Sequence, residues 1–118
     1  MHVLYLEDQP NDANLVRRYV QTTSHDIVVV NTVQDAEGAL NDDLGLILVD
    51  LLLGDLRAGF DFVSMLRERG YSQPIVAVTA LALPQDIEQC YTCGCTEVIS
   101  KPYPISRLDE LFSKYSSQ

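Results

Sequence analysis

The chain has 118 residues, 47% of them hydrophobic, which is enough to bury one core and predicts a single domain over residues 1–118. Its 17 acidic and 8 basic side chains give a formal net charge of −9, which argues against direct nucleic-acid binding. No apolar stretch approaches the roughly 20 residues of a membrane span and no signal-peptide pattern begins the chain, so we expect a soluble, cytoplasmic protein.

Strand and helix patterns alternate along the chain. Short apolar runs rich in β-branched residues predict five buried strands at residues 3–6, 27–30, 46–49, 75–78 and 98–99. Apolar stripes at helical spacing predict helices around residues 15–20, 62–66 and 105–115. Strands that alternate with helices across short connections predict a doubly wound α/β domain, with a parallel sheet and helices on both faces.

Two further helices are predicted from signals at their ends. A weaker helix covers residues 33–40, with Thr32 as its N-cap and Asp35 three positions later, as in a capping box. Another begins at Pro84, a favoured first-turn residue, and ends near Gly94.

Polar and charged residues follow most of the predicted strands. In order along the chain these are Glu7 and Asp8, then Asp50, then Thr79, which the small Ala80 follows, and finally Lys101. Ligands of open α/β sheets bind beyond the carboxyl ends of the strands, where the strand order reverses. Any one of these residues alone would be an ordinary solvated loop position, and only their joint placement favours a site.

The chemistry of this set points to phosphoryl transfer. Each carboxylate pair at ~4 Å would repel by roughly 4 kcal/mol at an effective dielectric of ~20, so the site needs a cation. Hard oxygen ligands suit Mg²⁺, with Mn²⁺ as a substitute. Asp50 would be the nucleophile, Lys101 would neutralise phosphoryl oxygens, and the Thr79 hydroxyl would donate a hydrogen bond.

Four segments carry a family resemblance: LEDQP (6–10), ILVDLLL (47–53), PIVAVTA (74–80) and VISKP (98–102). With them, nearly the whole chain resembles the CheY-like receiver domain of two-component response regulators. The resemblance implies a flavodoxin-like sheet in the order 2-1-3-4-5. It also implies phosphorylation of Asp50 by a sensor histidine kinase or a histidine phosphotransfer protein, and signalling to a downstream protein target by a monomer or weak dimer.

The resemblance further implies individual roles in the site. Mg²⁺ would be held by Asp8, Asp50 and the backbone carbonyl of Leu52, with Glu7 acting mainly through a metal-bound water. Such a domain is a phosphoacceptor switch, which catalyses only its own phosphorylation and slow autodephosphorylation. A cis peptide before Pro102 would aim Lys101 at the phosphoryl group.

The chain departs from the family pattern in the predicted switch. Val98 stands where receivers carry the aromatic residue that moves with Thr79, so the usual aromatic switch is missing. Leu52 and Leu81, which with Ala80 would flank the phosphoryl group, are apolar and predict a long-lived phosphorylated form.

The loop after Asp50 also departs from the pattern. The family often has a proline four residues after this aspartate and a glycine eight residues after it. Here Gly54 takes the proline position and Gly59 comes nine residues after Asp50, so the loop is one residue longer. A tolerated surface insertion explains this length better than a partner contact does.

Two other functions compete with that of a phosphorylatable receiver. A pseudo-receiver that serves as a docking module is favoured by Val98 and opposed by the complete acidic and lysine set. An Mg²⁺-dependent phosphatase or nuclease is a second alternative, but phosphatases of the haloacid-dehalogenase type need an aspartate where Leu52 stands.

The three cysteines lie outside the predicted site and give little information about function. Cys90, Cys93 and Cys95 are expected to be small reduced packing groups rather than redox or zinc ligands. No output domain is expected in the chain. A stand-alone receiver, a relay intermediate and an excised receiver of a larger regulator all stay open.

Overall fold

The computed structural model describes residues 1–54, 57–81 and 83–116. In chain order the elements are β1 (His2–Leu6), α1 (Pro10–Gln21), β2 (Asp26–Val30), α2 (Val33–Gly38), β3 (Leu44–Val49), α3 (Ala58–Glu68), β4 (Ile75–Thr79), α4 (Pro84–Cys93), β5 (Glu97–Ser100) and α5 (Ile105–Ser116). The strands pair in parallel in the order β2-β1-β3-β4-β5. The predicted fold class and strand order are confirmed.

Both faces of the central strands are buried, because alternate side chains pack into two separate cores. In β1, Val3 and Tyr5 pack towards α1 and α5, whereas Leu4 and Leu6 pack towards α2, α3 and α4. Strands β3 and β4 repeat this alternation: Leu46, Leu48, Val76 and Val78 lie on the first face, and Ile47, Val49, Ile75 and Ala77 on the second. Double burial explains why these strands read as continuous apolar runs in the sequence.

The direction in which strands are added reverses at β1. From β1 the chain runs through α1 to β2 at one edge, then returns through α2 to β3 on the other side of β1. Because the crossovers are right-handed, helices that precede and follow the reversal lie on opposite faces of the sheet. Helix α1 therefore covers one face, and helices α2, α3 and α4 cover the other. The last residues of β1 and β3, Leu6 and Val49, are register partners, so the segments that follow them are brought together.

Helices α2 and α4 begin where the capping residues predict. Thr32 Oγ1 accepts a hydrogen bond from the amide of Asp35 at 3.0 Å, although α2 ends at Gly38 rather than at residue 40. Helix α4 begins at Pro84 and is followed by Gly94, whose φ of 120° is left-handed. Within the described ranges, no helix is long and apolar enough to cross a membrane.

The three cysteines are packing groups, as predicted. Cys90 and Cys95 are buried in the core beneath α3 and α4, and Cys93 packs against that core. Burial raises the pKa of the Cys90 thiol to about 11, so it stays protonated at neutral pH. A buried thiol of this kind behaves as a small hydrophobic group.

Gly59 allows the close approach of α3 to the end of β3. Its amide donates to the Leu51 carbonyl at 3.2 Å, and an added Cβ would meet the Asp50 carbonyl oxygen and come within 2.6 Å of Leu51 Cα. The backbone around Asp50 therefore has no room for a side chain at this position.

We expect Gly59→Ala to destabilise the protein by about 1–3 kcal/mol, because the new methyl group must displace backbone next to Asp50. Chemical denaturation followed by circular dichroism measures the free energy of unfolding. Gly38→Ala is the matched control: a Cβ at Gly38 has nothing within 4 Å, so the same change there should be neutral or slightly stabilising. Equal effects at the two glycines would contradict the packing argument.

Candidate functional site

An acidic cleft lies where β1 and β3 end. Glu7, Asp8 and Asp50 each offer a carboxylate oxygen, and these oxygens lie within 4.8 Å of one another. Glu7 is only 2% exposed and Asp50 only 5% exposed, so two of the three carboxylates are held away from bulk water. The structure thus brings together the three carboxylates that the sequence pattern places after two different strands.

The ammonium group of Lys101 lies among these carboxylates. Nζ donates to Glu7 Oε2 at 2.8 Å, to Asp12 Oδ2 at 2.9 Å and to Asp50 Oδ2 at 3.2 Å. Burial by itself disfavours the ammonium, but hydrogen bonds to Glu7 and Asp12 and the charge of Asp50 outweigh it and raise the pKa of Lys101. All three N–H donors of the ammonium therefore have carboxylate partners.

The end of β5 places Lys101 over the cleft. Ser100 is the register partner of Thr79 at the end of β4, and the Lys101 amide donates to the Thr79 carbonyl at 2.8 Å. The peptide bond between Lys101 and Pro102 is cis. Backbone contacts between the two strands thus hold the lysine at the edge where Asp50 lies.

Asp50 is the carboxylate most affected by its surroundings. Its Oδ1 accepts a hydrogen bond from the Leu52 amide at 3.1 Å. Burial and the neighbouring Glu7 carboxylate raise the pKa of Asp50 to about 7, and the charge of Lys101 only partly offsets them. Without a further cation, the site is unfavourable for a fully ionised Asp50.

The remaining oxygens of the acidic pair fit a hard cation. Asp8 Oδ2 accepts from the Gly54 amide at 2.6 Å, whereas Asp8 Oδ1 is buried without a hydrogen-bond partner among the described residues. Glu7 is fixed by Tyr5 Oη at 2.8 Å and the Gln9 amide at 3.0 Å. The buried, unpartnered oxygen of Asp8 lies beside the carboxylates of Glu7 and Asp50. Together these three carboxylates could bind a metal ion such as Mg²⁺.

Gly54 contributes to this geometry in a way that proline could not. Its φ is 62°, a left-handed conformation that favours glycine, and its amide is the donor to Asp8. Proline has no backbone N–H, so the departure from the family pattern supplies a hydrogen bond to the acidic pair. The predicted one-residue insertion between Gly54 and Gly59 includes positions 55 and 56, which lie outside the described residues.

The predicted flanking residues divide into two groups. A cleft of about 200 Å³ is lined by Gln9, Asp12, Asp50, Leu52, Gly54, Ala80 and Lys101. Leu52 and Ala80 therefore lie in the same cleft as Asp50. Leu81 is half-buried and packs against the core on the α2, α3 and α4 face, while its amide donates to Thr79 Oγ1 at 3.0 Å.

Thr79 and Val98, the two predicted switch positions, lie in neighbouring strands. Thr79 is fully buried, and Val98 is half-buried and packs against the same core as Leu81. Tyr103, two residues after Lys101, has a buried hydroxyl with no hydrogen-bond partner in the described part of the chain. Burial raises the pKa of Tyr103 to about 12; Asp12 and Glu7 add to the rise and Lys101 opposes it.

Two features of the site were missed at the level of sequence. Asp12, in the first turn of α1, bonds to Lys101. Arg57 Nη2 donates to Asp86 Oδ1 at 3.1 Å and to Gln89 Oε1 at 2.7 Å, which ties the start of α3 to α4. The only sequence signal for Asp12 was its position in the first helical turn after the acidic pair, and none pointed to Arg57.

A doubly wound α/β domain with an acidic cleft and a lysine at the carboxyl ends of its strands has the architecture of a receiver domain. A family model described as the response regulator receiver domain matches residues 3–113, and the chain belongs to that family.

Curated relatives are distant and longer than this chain. The chain is 24% identical over 106 residues to the heme response regulator HssR of Staphylococcus saprophyticus, covering 89% of this chain and 46% of that protein. It is 24% identical over 122 residues to the sensor histidine kinase RcsC of Salmonella typhi, covering 100% of this chain and 12% of the kinase. The chain thus spans less than half the length of either relative.

Solved structures support the fold. The BeF₃-activated N-terminal receiver domain of Klebsiella pneumoniae RstA superposes with a TM-score of 0.88 at 24% identity, covering 100% of both chains. The non-phosphorylated HemR receiver domain of Leptospira biflexa superposes with a TM-score of 0.87 at 22% identity, covering 99% of this chain and 94% of that one.

We expect Asp50→Asn to stabilise the cation-free protein, and more so at high pH. The pKa of Asp50 is raised from 3.8 to about 7 on folding, so the folded state holds a proton that the unfolded state releases between these values. Stability is therefore lost as pH rises through this range, and asparagine removes the loss. Unfolding in chelator should show a gain at pH 8 that exceeds the gain at pH 5 by about 1–3 kcal/mol.

The exposed Asp43, which precedes β3 at the opposite end of the sheet, supplies the control for this experiment. Asp43→Asn should change the free energy of unfolding little, and equally at the two pH values. A gain for Asp50→Asn that does not depend on pH would show that the carboxylate is not destabilised by its site.

Proposed function

We propose that this chain is a phosphorylatable receiver in two-component signalling. Asp50 accepts a phosphoryl group in an Mg²⁺-dependent reaction, and the phosphorylated domain acts through an altered protein-binding surface. The observation that supports this most strongly is the Lys101 ammonium, which bonds to Asp50 Oδ2 and to Glu7 Oε2 in one buried cluster. A structural ion pair needs one carboxylate, whereas phosphoryl transfer to an aspartate needs a nucleophilic carboxylate, further carboxylates to hold a metal ion, and a cation for the phosphoryl oxygens.

In the proposed reaction, an ionised oxygen of Asp50 attacks the phosphorus atom of a phosphohistidine. The phosphorus–nitrogen bond breaks, the imidazole nitrogen keeps the electron pair and takes a proton, and an acyl phosphate forms on Asp50. Lys101 donates a hydrogen bond to a phosphoryl oxygen, and the Thr79 hydroxyl donates to another. Mg²⁺ would neutralise charge on the carboxylates and the phosphoryl group. Asp8, Asp50 and the Leu52 carbonyl would hold the ion, and Glu7 would act mainly through a metal-bound water.

A receiver of this kind needs a phosphoryl donor and a downstream target in the same compartment. Relatives named as a response regulator and as a sensor histidine kinase support a phosphohistidine donor, in a histidine kinase or a phosphotransfer protein. A downstream protein target would read the phosphorylated state, in the cytoplasm, where such donors act. The chain would be a self-phosphorylating acceptor rather than an enzyme with turnover on a separate substrate.

A pseudo-receiver docking module is the second candidate function. The observation that favours it is Val98, which packs against the core where the family usually carries a mobile aromatic ring. A domain of this kind would bind its partner with the same affinity whether or not Asp50 can accept a phosphoryl group.

We expect acetyl phosphate with Mg²⁺ to add about 80 Da to the native chain, as intact-mass spectrometry would show. Asp50→Asn should remain unmodified, because it lacks the nucleophilic carboxylate. Chelation of Mg²⁺ should abolish labelling, and Asp43→Asn should be labelled like the native chain. A native chain that stays unmodified under these conditions would contradict the phosphorylatable receiver and favour the docking module.

We also expect the phosphorylated form to be long-lived, because the Leu52 side chain beside Asp50 cannot orient an attacking water. Leu52→Gln should accelerate phosphate loss at least about threefold by supplying a polar group in that place. Loss of the added mass over time, after removal of the phosphodonor, measures the rate. Leu83→Gln changes a leucine that is 58% exposed and outside the cleft, and should leave the rate unchanged.

A further inference from the structure

Asp12 differs from the other two carboxylates that bind Lys101 in its access to water. The Asp12 side chain is 41% exposed, whereas the side chains of Glu7 and Asp50 are 0% and 7% exposed, and that of Lys101 is 14% exposed. Asp12 lines the mouth of the cleft from the first turn of α1, while Glu7 and Asp50 come from the ends of strands. The ammonium thus has two buried partners and one solvated partner.

A phosphoryl oxygen can bind Lys101 only if one existing hydrogen bond is given up. The ammonium has three N–H donors, and Glu7, Asp12 and Asp50 accept all of them. Glu7 remains a buried carboxylate after phosphorylation, and removing its partner would be costly because the charge would be left uncompensated. Asp50 loses its carboxylate charge when the acyl phosphate forms, so its own bond to the ammonium weakens. Asp12 can be rehydrated, since an exposed ion pair contributes little. Of the two carboxylates that keep their charge, Glu7 and Asp12, the solvated Asp12 therefore costs less to separate from Lys101.

We propose that Asp12 is a positioning residue for the phosphoryl-transfer site. In the unphosphorylated chain, Asp12 holds the third N–H donor of Lys101, and it releases that donor to a phosphoryl oxygen when one arrives. Asp12 thus competes with the phosphoryl group for the lysine and sets how tightly the site binds it. This inference rests on the proposed function, and it assigns to Asp12 a role that the acidic pair does not have.

The probe for this role is beryllofluoride with Mg²⁺, a stable analogue of the phosphoryl group on aspartate. Titration followed by backbone NMR should give a Kd for Asp12→Asn that is about two- to five-fold lower than for the native chain, the range expected for loss of a partly exposed ion pair. Asp12→Glu keeps the charge and should restore a Kd near the native value.

Two further variants separate competition for Lys101 from a general change of charge. Asp35 lines the neighbouring groove with Glu7 and Asp8 and is exposed, so Asp35→Asn makes the same change of net charge without touching the lysine contacts. At about 0.15 M salt its effect should be largely screened. In a Lys101→Met background, Asp12→Asn should give no more tightening than Asp35→Asn does.

The outcomes are distinct. An unchanged or higher Kd in Asp12→Asn overturns the inference, as does equal tightening in Asp35→Asn or in the Lys101→Met background. Thermal unfolding of each variant shows whether a change in Kd reflects loss of the fold. If the native chain binds beryllofluoride but Asp12→Asn matches it, only this inference fails. If the native chain neither binds beryllofluoride nor accepts phosphate from acetyl phosphate, the proposed function fails and takes this inference with it.

Discussion

The balance of charge around the Lys101 ammonium governs the rest of this site. Glu7, Asp12 and Asp50 bond to one ammonium at the carboxyl ends of the strands, and a carboxylate oxygen of Asp8 lies within 4.8 Å of those of Glu7 and Asp50. One cation cannot neutralise them all, and burial together with the neighbouring Glu7 carboxylate raises the pKa of Asp50 to about 7. The excess of carboxylates over cations also makes this a cluster that could bind a divalent cation.

The fold can tolerate this strained electrostatic arrangement because its two cores supply stability elsewhere. Strands β1, β3 and β4 are buried on both faces, and the helices pack on them from either side. Only the ends of the strands leave these cores, and there the chain carries polar groups instead of apolar ones. A rigid scaffold thus holds the polar cluster at its edge.

The loop after Asp50 connects the site to the helices on one face. Near its start, the Gly54 amide bonds to Asp8, and at its end Arg57 bonds to the buried Asp86 in the first turn of α4. Arg57 also lies over the Phe60 ring, 4.4 Å from its centre. These contacts fasten the loop after Asp50 both to the acidic pair and to α4, on the face where Val98 replaces the usual aromatic residue.

The sequence by itself determined the fold class and most of the site. Apolar runs and helical stripes are local patterns, and the parallel topology brings whatever follows each strand to one edge, so Glu7, Asp8, Asp50 and Lys101 could be placed together in advance. The pairings of Asp12 with Lys101, Gly54 with Asp8 and Arg57 with Asp86 were decided only by the tertiary structure. They join residues 89, 46 and 29 positions apart, and they depend on side-chain reach and loop conformation, which no periodicity encodes.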